Sequence, residues 1–166
     1  MGNSNAGKAV CPGSYDPVTL GHLDIISRAS RVFENIVVGV VDHPARKKQT
    51  VFTAEERVAF IEAETAKLGN VQVKAFDTLL VAFARENGAH TIVKGLRAIS
   101  DFEYEFEMNQ LNRKMAPDIE SMYLMSAPEF SFLSSSGVKE LAMFGGDLNG
   151  LVPDAVAGRL QEALQR

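Results

Sequence analysis

The chain has 166 residues, 46% hydrophobic and 23% charged, with 17 Lys and Arg against 21 Asp and Glu. This length predicts one domain with a core of its own, without metal or disulfide staples. The net charge of −4 argues against bulk nucleic-acid binding, which needs a field of cations to displace counterions, but leaves room for a small anionic ligand held by a few well-placed ones.

The single cysteine, Cys11, excludes a disulfide framework and any cysteine-only metal site, and reads as a buried small hydrophobe in a strand. No apolar run approaches the roughly 18 residues of a membrane span and no signal peptide opens the chain, so a soluble, cytoplasmic protein without membrane partners is expected.

Residues 1–8, MGNSNAGK, are polar and aperiodic and are expected to be a disordered start or an expression remnant, with residues 9–166 forming the single domain. Gly2, Gly7 and Lys8 nearly have P-loop spacing, but Ala9 stands where Ser or Thr must reach magnesium and no strand precedes it. That reading is rejected. Residues 9–11 are a short apolar strand stopped by Pro12-Gly13, and a helix follows with Leu23, Ile26, Ser30 and Phe33 at spacings of three and four. Residues 36–41 are a β-branched run broken only by Gly39, as expected of a strand buried on both faces.

Thr53 and Glu56 form a capping box opening a helix with Val58, Ile61 and Leu68 on one stripe. Residues 71–76 are a strand, Leu79, Leu80 and Phe83 lie on a helix, and residues 90–93 are a fourth strand ending at Lys94-Gly95. Ser100 and Glu103 suggest a second capping box before a long helix to about Met115, whose Phe102, Tyr104, Phe106 and Met108 exceed the needs of one buried stripe. A fifth strand at 121–125 and helices at about 136–144 and 154–164 complete the chain. Strands alternating with helices predict a doubly wound, Rossmann-like α/β domain: a five-stranded parallel sheet with helices on both faces. Such sheets bind ligands at the carboxyl ends of their strands, so the loops there are the ones to inspect.

Loop one, residues 11–22, offers the Ser14 hydroxyl just past the strand and Thr19 as N-cap, placing His22 in the first turn of a helix whose N-terminus welcomes an anion. Gly13 allows close backbone approach, and Gly21 leaves room for something flat. His43 and His90 lack such a context. Loop two carries Arg46, Lys47 and Lys48, which are either a solvated cluster or, at a strand's carboxyl end, anion ligands. Loop four, Lys94-Gly95-Leu96-Arg97, sets two cations around a glycine that could open its backbone N–H groups to phosphate. Loop five runs Phe130-Ser131-Phe132-Leu133-Ser134-Ser135-Ser136 into a helix, with more serines than N-capping requires. Around one sheet edge these loops specify a polyphosphate site. A dinucleotide cofactor is disfavoured, because no GxGxxG follows the first strand.

TLGH at 19–22 resembles the T/H-x-G-H signature of the nucleotidylyltransferase superfamily, and FLSSS at 132–136 resembles its Ser-rich signature. CPGSYDPVTLGHLDII, FTAEERV, VKGLRAISDFEYEFEMNQLN and PEFSFLSSSGVKELA more narrowly resemble the bacterial phosphopantetheine adenylyltransferase family, collinearly from about residue 9 to 164. The resemblance implies transfer of adenylyl from ATP to 4′-phosphopantetheine in coenzyme A biosynthesis, with Mg2+ bound mainly through ATP phosphates, and a homohexamer. It implies that His22, Lys47 and Arg97 stabilise the transferring and leaving phosphates. Ser14, Tyr15, Gly95, Leu96, Arg97, Glu105 and residues 130–136 would line the ATP site, and Ser14, Lys47, Leu80 and Lys94 would hold the acceptor.

Two departures from the family pattern stand out. Relatives often carry Thr at the position of Ser14, and loop two is about two residues longer than usual, so Arg46 or Lys48 could take the place given to Lys47. Competing readings are a sister adenylyl- or cytidylyltransferase using nicotinate mononucleotide or glycerol phosphate, and a nucleotide-binding module without catalysis.

Overall fold

The computed structural model describes residues 6–44 and 49–164. In chain order its elements are β1 (Ala6–Gly13), α1 (Leu20–Val32), β2 (Phe33–Val41), α2 (Ala54–Thr65), a short 3-10 turn (Ala66–Leu68), β3 (Val71–Phe76), α3 (Leu80–Glu86), β4 (Thr91–Leu96), α4 (Ile99–Met115), β5 (Glu120–Met125), a second 3-10 turn (Pro128–Phe130), α5 (Ser135–Met143) and α6 (Asp154–Leu164). The five strands form one parallel sheet in the order β3-β2-β1-β4-β5, the expected doubly wound topology. No helix among the described residues is long and apolar enough to cross a membrane.

The side-chain alternation of the central strands sorts the interior into two layers. Ala9, Cys11, Ile36, Val38, Val40 and Val93 face a core completed by α1, α2, α5 and α6, including Ile26, Ile61, Val138 and Leu160. Val10, Val37 and Ile92 point the other way, onto Val81, Phe83 and Ala84 of α3 and onto Ala116 and Ile119. This is why residues 36–41 read as a continuous apolar run: β2 is covered on both faces.

Several boundaries differ from the expectation. Residues 6–8, expected in a disordered start, are strand, because β1 takes its hydrogen bonds from β2 in the register Ala6↔Phe33 and Lys8↔Asn35 whatever its side chains. Residues 1–5 lie outside the described residues. β4 runs through Leu96, so Lys94 and Gly95 are strand residues rather than loop. α4 starts at Ile99 with Ala98 as N-cap and no side-chain cap bond, so Ser100 lies inside the helix rather than at the N-cap position expected for it, and the Asp101 carboxylate accepts from the Arg97 N–H at 3.3 Å. Phe33 opens β2 instead of closing α1, whose buried residues are Ile25, Ile26 and Ala29. The box of Thr53 and Glu56 is present, but the buried stripe of α2 is Ala54, Arg57, Ile61 and Thr65.

One feature of the sheet positions the site. β1 and β4 are in register only at Ala9↔Thr91 and Val10↔Ile92, whereas β1 stays with β2 to Gly13↔Val40 and β4 stays with β5 to Leu96↔Met125. Beyond Val10 and Ile92 the two central strands part, and the crevice opens where the winding of the chain reverses.

Candidate active site

On the β1 side the crevice begins with a sharp turn. Tyr15 has φ +48°, a conformation costly for a residue with a Cβ, and its buried ring is pinned by a bond from its hydroxyl to the Cys11 carbonyl at 2.9 Å. Burial, with Cys11 adding to it, pushes the Tyr15 phenol well above its ordinary pKa. The ring stands edge-on to His22, with centroids 5.1 Å apart.

His22 is held at the start of α1 by a reciprocal cap. The Thr19 hydroxyl accepts from the His22 N–H at 3.3 Å, and His22 Nδ1 accepts from the Thr19 N–H at 3.0 Å. A histidine thus fills the role usually played by Glu or Gln. With Nδ1 accepting, the neutral ring carries its proton on Nε2, the tautomer that donates to an anion.

Asp16, fully buried, follows Tyr15 and precedes a cis bond to Pro17. Its carboxylate accepts from the Val51 and Phe52 N–H groups at 3.0–3.1 Å and from Lys139 Nζ of α5 at 3.2 Å. Arg57, 1% exposed, reaches from α2 to the carbonyls of Ser14 (2.7 Å), Val41 (2.8 Å) and Asp42 (3.0 Å), while its Nε serves those of Phe52 and Thr53. Burial lowers the pKa of its guanidinium and the charges of Asp16, Asp42 and Glu55 raise it; an arginine stays protonated under such opposed influences. Neither Asp16 nor Arg57 was singled out from the sequence. The only signal for Arg57 was its place on the helical stripe of Ile61, and Asp16 carries none, because its partners lie 35 residues and more away.

Loop five closes against loop one. Ser135 Oγ donates to the Pro17 carbonyl at 2.8 Å, and a Cβ on Gly21 would meet the Phe130 Cβ at 3.3 Å, so the glycine lets loop five approach α1 closely. The serine row is divided among tasks: Ser134 N-caps α5 by accepting from Gly137 N–H, Ser131 donates to the Pro128 carbonyl, and Ser135 holds loop one. What the row offers an anion is the N–H groups of the first turn of α5 and the positive end of its dipole. Phe132 is exposed and Leu133 belongs to the core. Beside this loop an apolar groove of about 420 Å3 runs between Phe132, Val138, Leu141, Phe144 and Leu151.

On the β4 side, Arg97 donates through Nη1 to the Leu133 carbonyl at 2.8 Å and through Nε and Nη2 to Asp101, tying β4 to loop five. Lys94 Nζ meets Glu105 of α4 at 2.7 Å. Gly95 stands opposite Leu124 in the β5 register, and a Cβ there would strike Ile25 at 2.9 Å, so the glycine lets α1 approach. Leu96 ends β4. Leu80 starts α3 beyond β3, partly buried against the second core layer. Ser14, Tyr15, His22, Arg97 and loop five therefore surround the crevice, Lys94 and Glu105 form a pair on its far side, and Lys47, with Arg46 and Lys48, lies outside the described residues. Cys11 is the inert thiol expected, with burial pushing its pKa up to about 12.

The family model described as cytidylyltransferase-like matches residues 10–141. The chain is 52% identical to a phosphopantetheine adenylyltransferase of Rubrobacter xylanophilus over 95% of each chain, and 54% identical to one of Symbiobacterium thermophilum over 93% of this chain and 94% of that one. Its fold is similar to the solved structure of a Plasmodium falciparum nicotinic acid mononucleotide adenylyltransferase, with a TM-score of 0.69 at 14% identity over 95% of both chains.

Proposed function

We propose that this chain, which belongs to the cytidylyltransferase-like family, transfers the adenylyl group of ATP to 4′-phosphopantetheine, giving dephospho-coenzyme A and pyrophosphate. The observation that carries the substrate pair is the identity of more than half over nearly the whole chain with relatives named for that reaction. The crevice between β1 and β4, rimmed by two helix N-termini and by His22 and Arg97, has the chemistry a triphosphate requires.

The acceptor's phosphate is already a nucleophile, so the reaction needs neither a general base nor a covalent enzyme intermediate. One acceptor oxygen attacks the α-phosphorus in line as the bond to the bridging α,β-oxygen breaks, and pyrophosphate leaves with that electron pair. Catalysis is then positioning and charge stabilisation. His22 Nε2–H and the Arg97 guanidinium donate to oxygens that gain charge, supported by the first turns of α1 and α5. Lys94 exchanges the Glu105 carboxylate for the acceptor's phosphate, Leu80 packs on the pantetheine arm, and Ser14 and Lys47 complete the phosphate ligands. Magnesium would be brought in by ATP and would offset phosphate charge; among the described residues no three His, Cys, Asp or Glu side chains lie together to hold a metal.

The compartment proposed is the cytoplasm, and the assembly a homohexamer. Supporting self-association, Phe102, Phe106, Leu111 and Met115 of α4 and Met122 and Met125 of β5 are exposed, an apolar surface next to an open sheet edge. Light scattering should return six times the chain mass of 18.1 kDa. The decisive assay is pyrophosphate release from ATP with each of 4′-phosphopantetheine, nicotinate mononucleotide and glycerol phosphate. Release with the first alone is expected. Release with another acceptor replaces the substrate, and ATP binding without release under any of them leaves a binding module.

A further inference from the structure

We propose that Arg57 is a positioning residue for this reaction: it holds the Ser14–Tyr15 peptide with its carbonyl turned inward, and so turns the Tyr15 N–H toward the nucleotide phosphates. The inference rests on the function proposed above. Arg57 occupies a core position, on the inward stripe of α2 with Ala54, Ile61 and Thr65. Its guanidinium makes five hydrogen bonds to backbone carbonyls, and these belong to the carboxyl ends of two adjacent strands, Ser14 beyond β1 and Val41 and Asp42 at β2, and to the start of α2. A buried cation in such a place is a poor device for stability alone, since an apolar side chain of similar volume usually serves as well. What the guanidinium provides is direction. A trans peptide is planar, with C=O and N–H on opposite sides, so a carbonyl taken at 2.7 Å by Arg57 fixes its partner N–H on the side away from the guanidinium. That N–H belongs to Tyr15, whose left-handed backbone and ring contact with His22 place it beside the catalytic helix start. A lysine, with three donors on one nitrogen and no planar fork, cannot reproduce the five bonds that Nε, Nη1 and Nη2 make to the Phe52, Thr53, Ser14, Val41 and Asp42 carbonyls.

Two measurements test this on the full chain. Arg57→Lys, first shown to be folded by far-ultraviolet circular dichroism, is compared with Ile61→Ala, a destabilising change on the same stripe. Arg57→Lys should lose at least about tenfold in kcat/KM for ATP, while Ile61→Ala should stay within about twofold of the parent. Equal losses in the two, or an unchanged Arg57→Lys, overturn the proposal.

If Arg57→Lys does not fold, the parent protein decides. The chain has three tyrosines, Tyr15, Tyr104 and Tyr123, so a 15N-tyrosine sample gives three amide resonances, with Tyr15 assigned by its loss in Tyr15→Phe. Titration with ATP alone should move the Tyr15 amide downfield, and an unmoved resonance overturns the proposal. This arm needs no acceptor. A parent enzyme that fails with phosphopantetheine therefore refutes the substrate assignment and leaves the role of Arg57 to be decided by the titration.

Discussion

The two banks of the crevice are built differently. On the β1–β2 bank the polar ties are interior: Asp16 is 0% and Arg57 1% exposed, and both spend their charge on backbone groups or on one buried-side ammonium. On the β4–β5 bank the ties are ion pairs nearer to solvent, with side-chain exposures of 18% and 17% for Lys94 and Glu105 and of 35% and 27% for Arg97 and Asp101. A fully buried charge cannot change partners without a large desolvation penalty, whereas a partly exposed one can trade a carboxylate for a phosphate at smaller cost. One bank is set before ligand arrives and the other is able to respond to it.

The sharpest way to break this contrast is Asp16→Ala. It leaves the Val51 and Phe52 N–H groups and the Lys139 ammonium without their acceptor in a buried setting, and should lower unfolding free energy by about 3–5 kcal/mol in urea titrations. A loss under about 1 kcal/mol would mean that this bank is not preset. His22→Ala should raise the activation barrier by about 3–4 kcal/mol, seen in kcat far more than in KM. Near-parent kcat would remove His22 from the mechanism.

A third test uses pH. Burial raises the Cys11 thiol from 9.0 to about 12, so between these values the native state keeps a proton that the unfolded chain releases, and stability falls as pH rises. At pH 10.5 the thiol should account for about 2 kcal/mol of lost stability relative to pH 8, and Cys11→Ala should flatten that part of the slope. The smallest effect belongs to the responsive bank: Asp101→Asn should cost no more than about 1 kcal/mol and be masked by salt. A larger, salt-insensitive loss would erase the distinction between the banks.

What was legible in the sequence follows the same division. Periodicity and caps are local signals, so the strand and helix order, the Thr53–Glu56 box and Thr19 as N-cap to His22 could be read from neighbouring residues. Where a local signal competed with a tertiary one, it lost. Ser100 and Glu103 spell a capping box, yet α4 begins before them, and Lys94-Gly95 looks like a loop but is retained in the sheet by its register with β5. Asp16 and Arg57 were illegible for a further reason: charged residues read as surface, and only the folded chain brings to them the carbonyls and N–H groups that make burial tolerable.

The short pairing between β1 and β4 also orders events in time. β1 finds β2 within the first 41 residues, but its other neighbour, β4, begins only at Thr91. During synthesis at about 5–20 residues per second, the first half-sheet can form seconds before its second wall exists. The ladder that then joins the halves is the least extended in the sheet, and it carries the highest sequence separation of any strand pairing made by β1. Such a seam is the last to zip and the first to loosen, so hydrogen exchange should find it in the lowest-stability cooperative unit of the sheet.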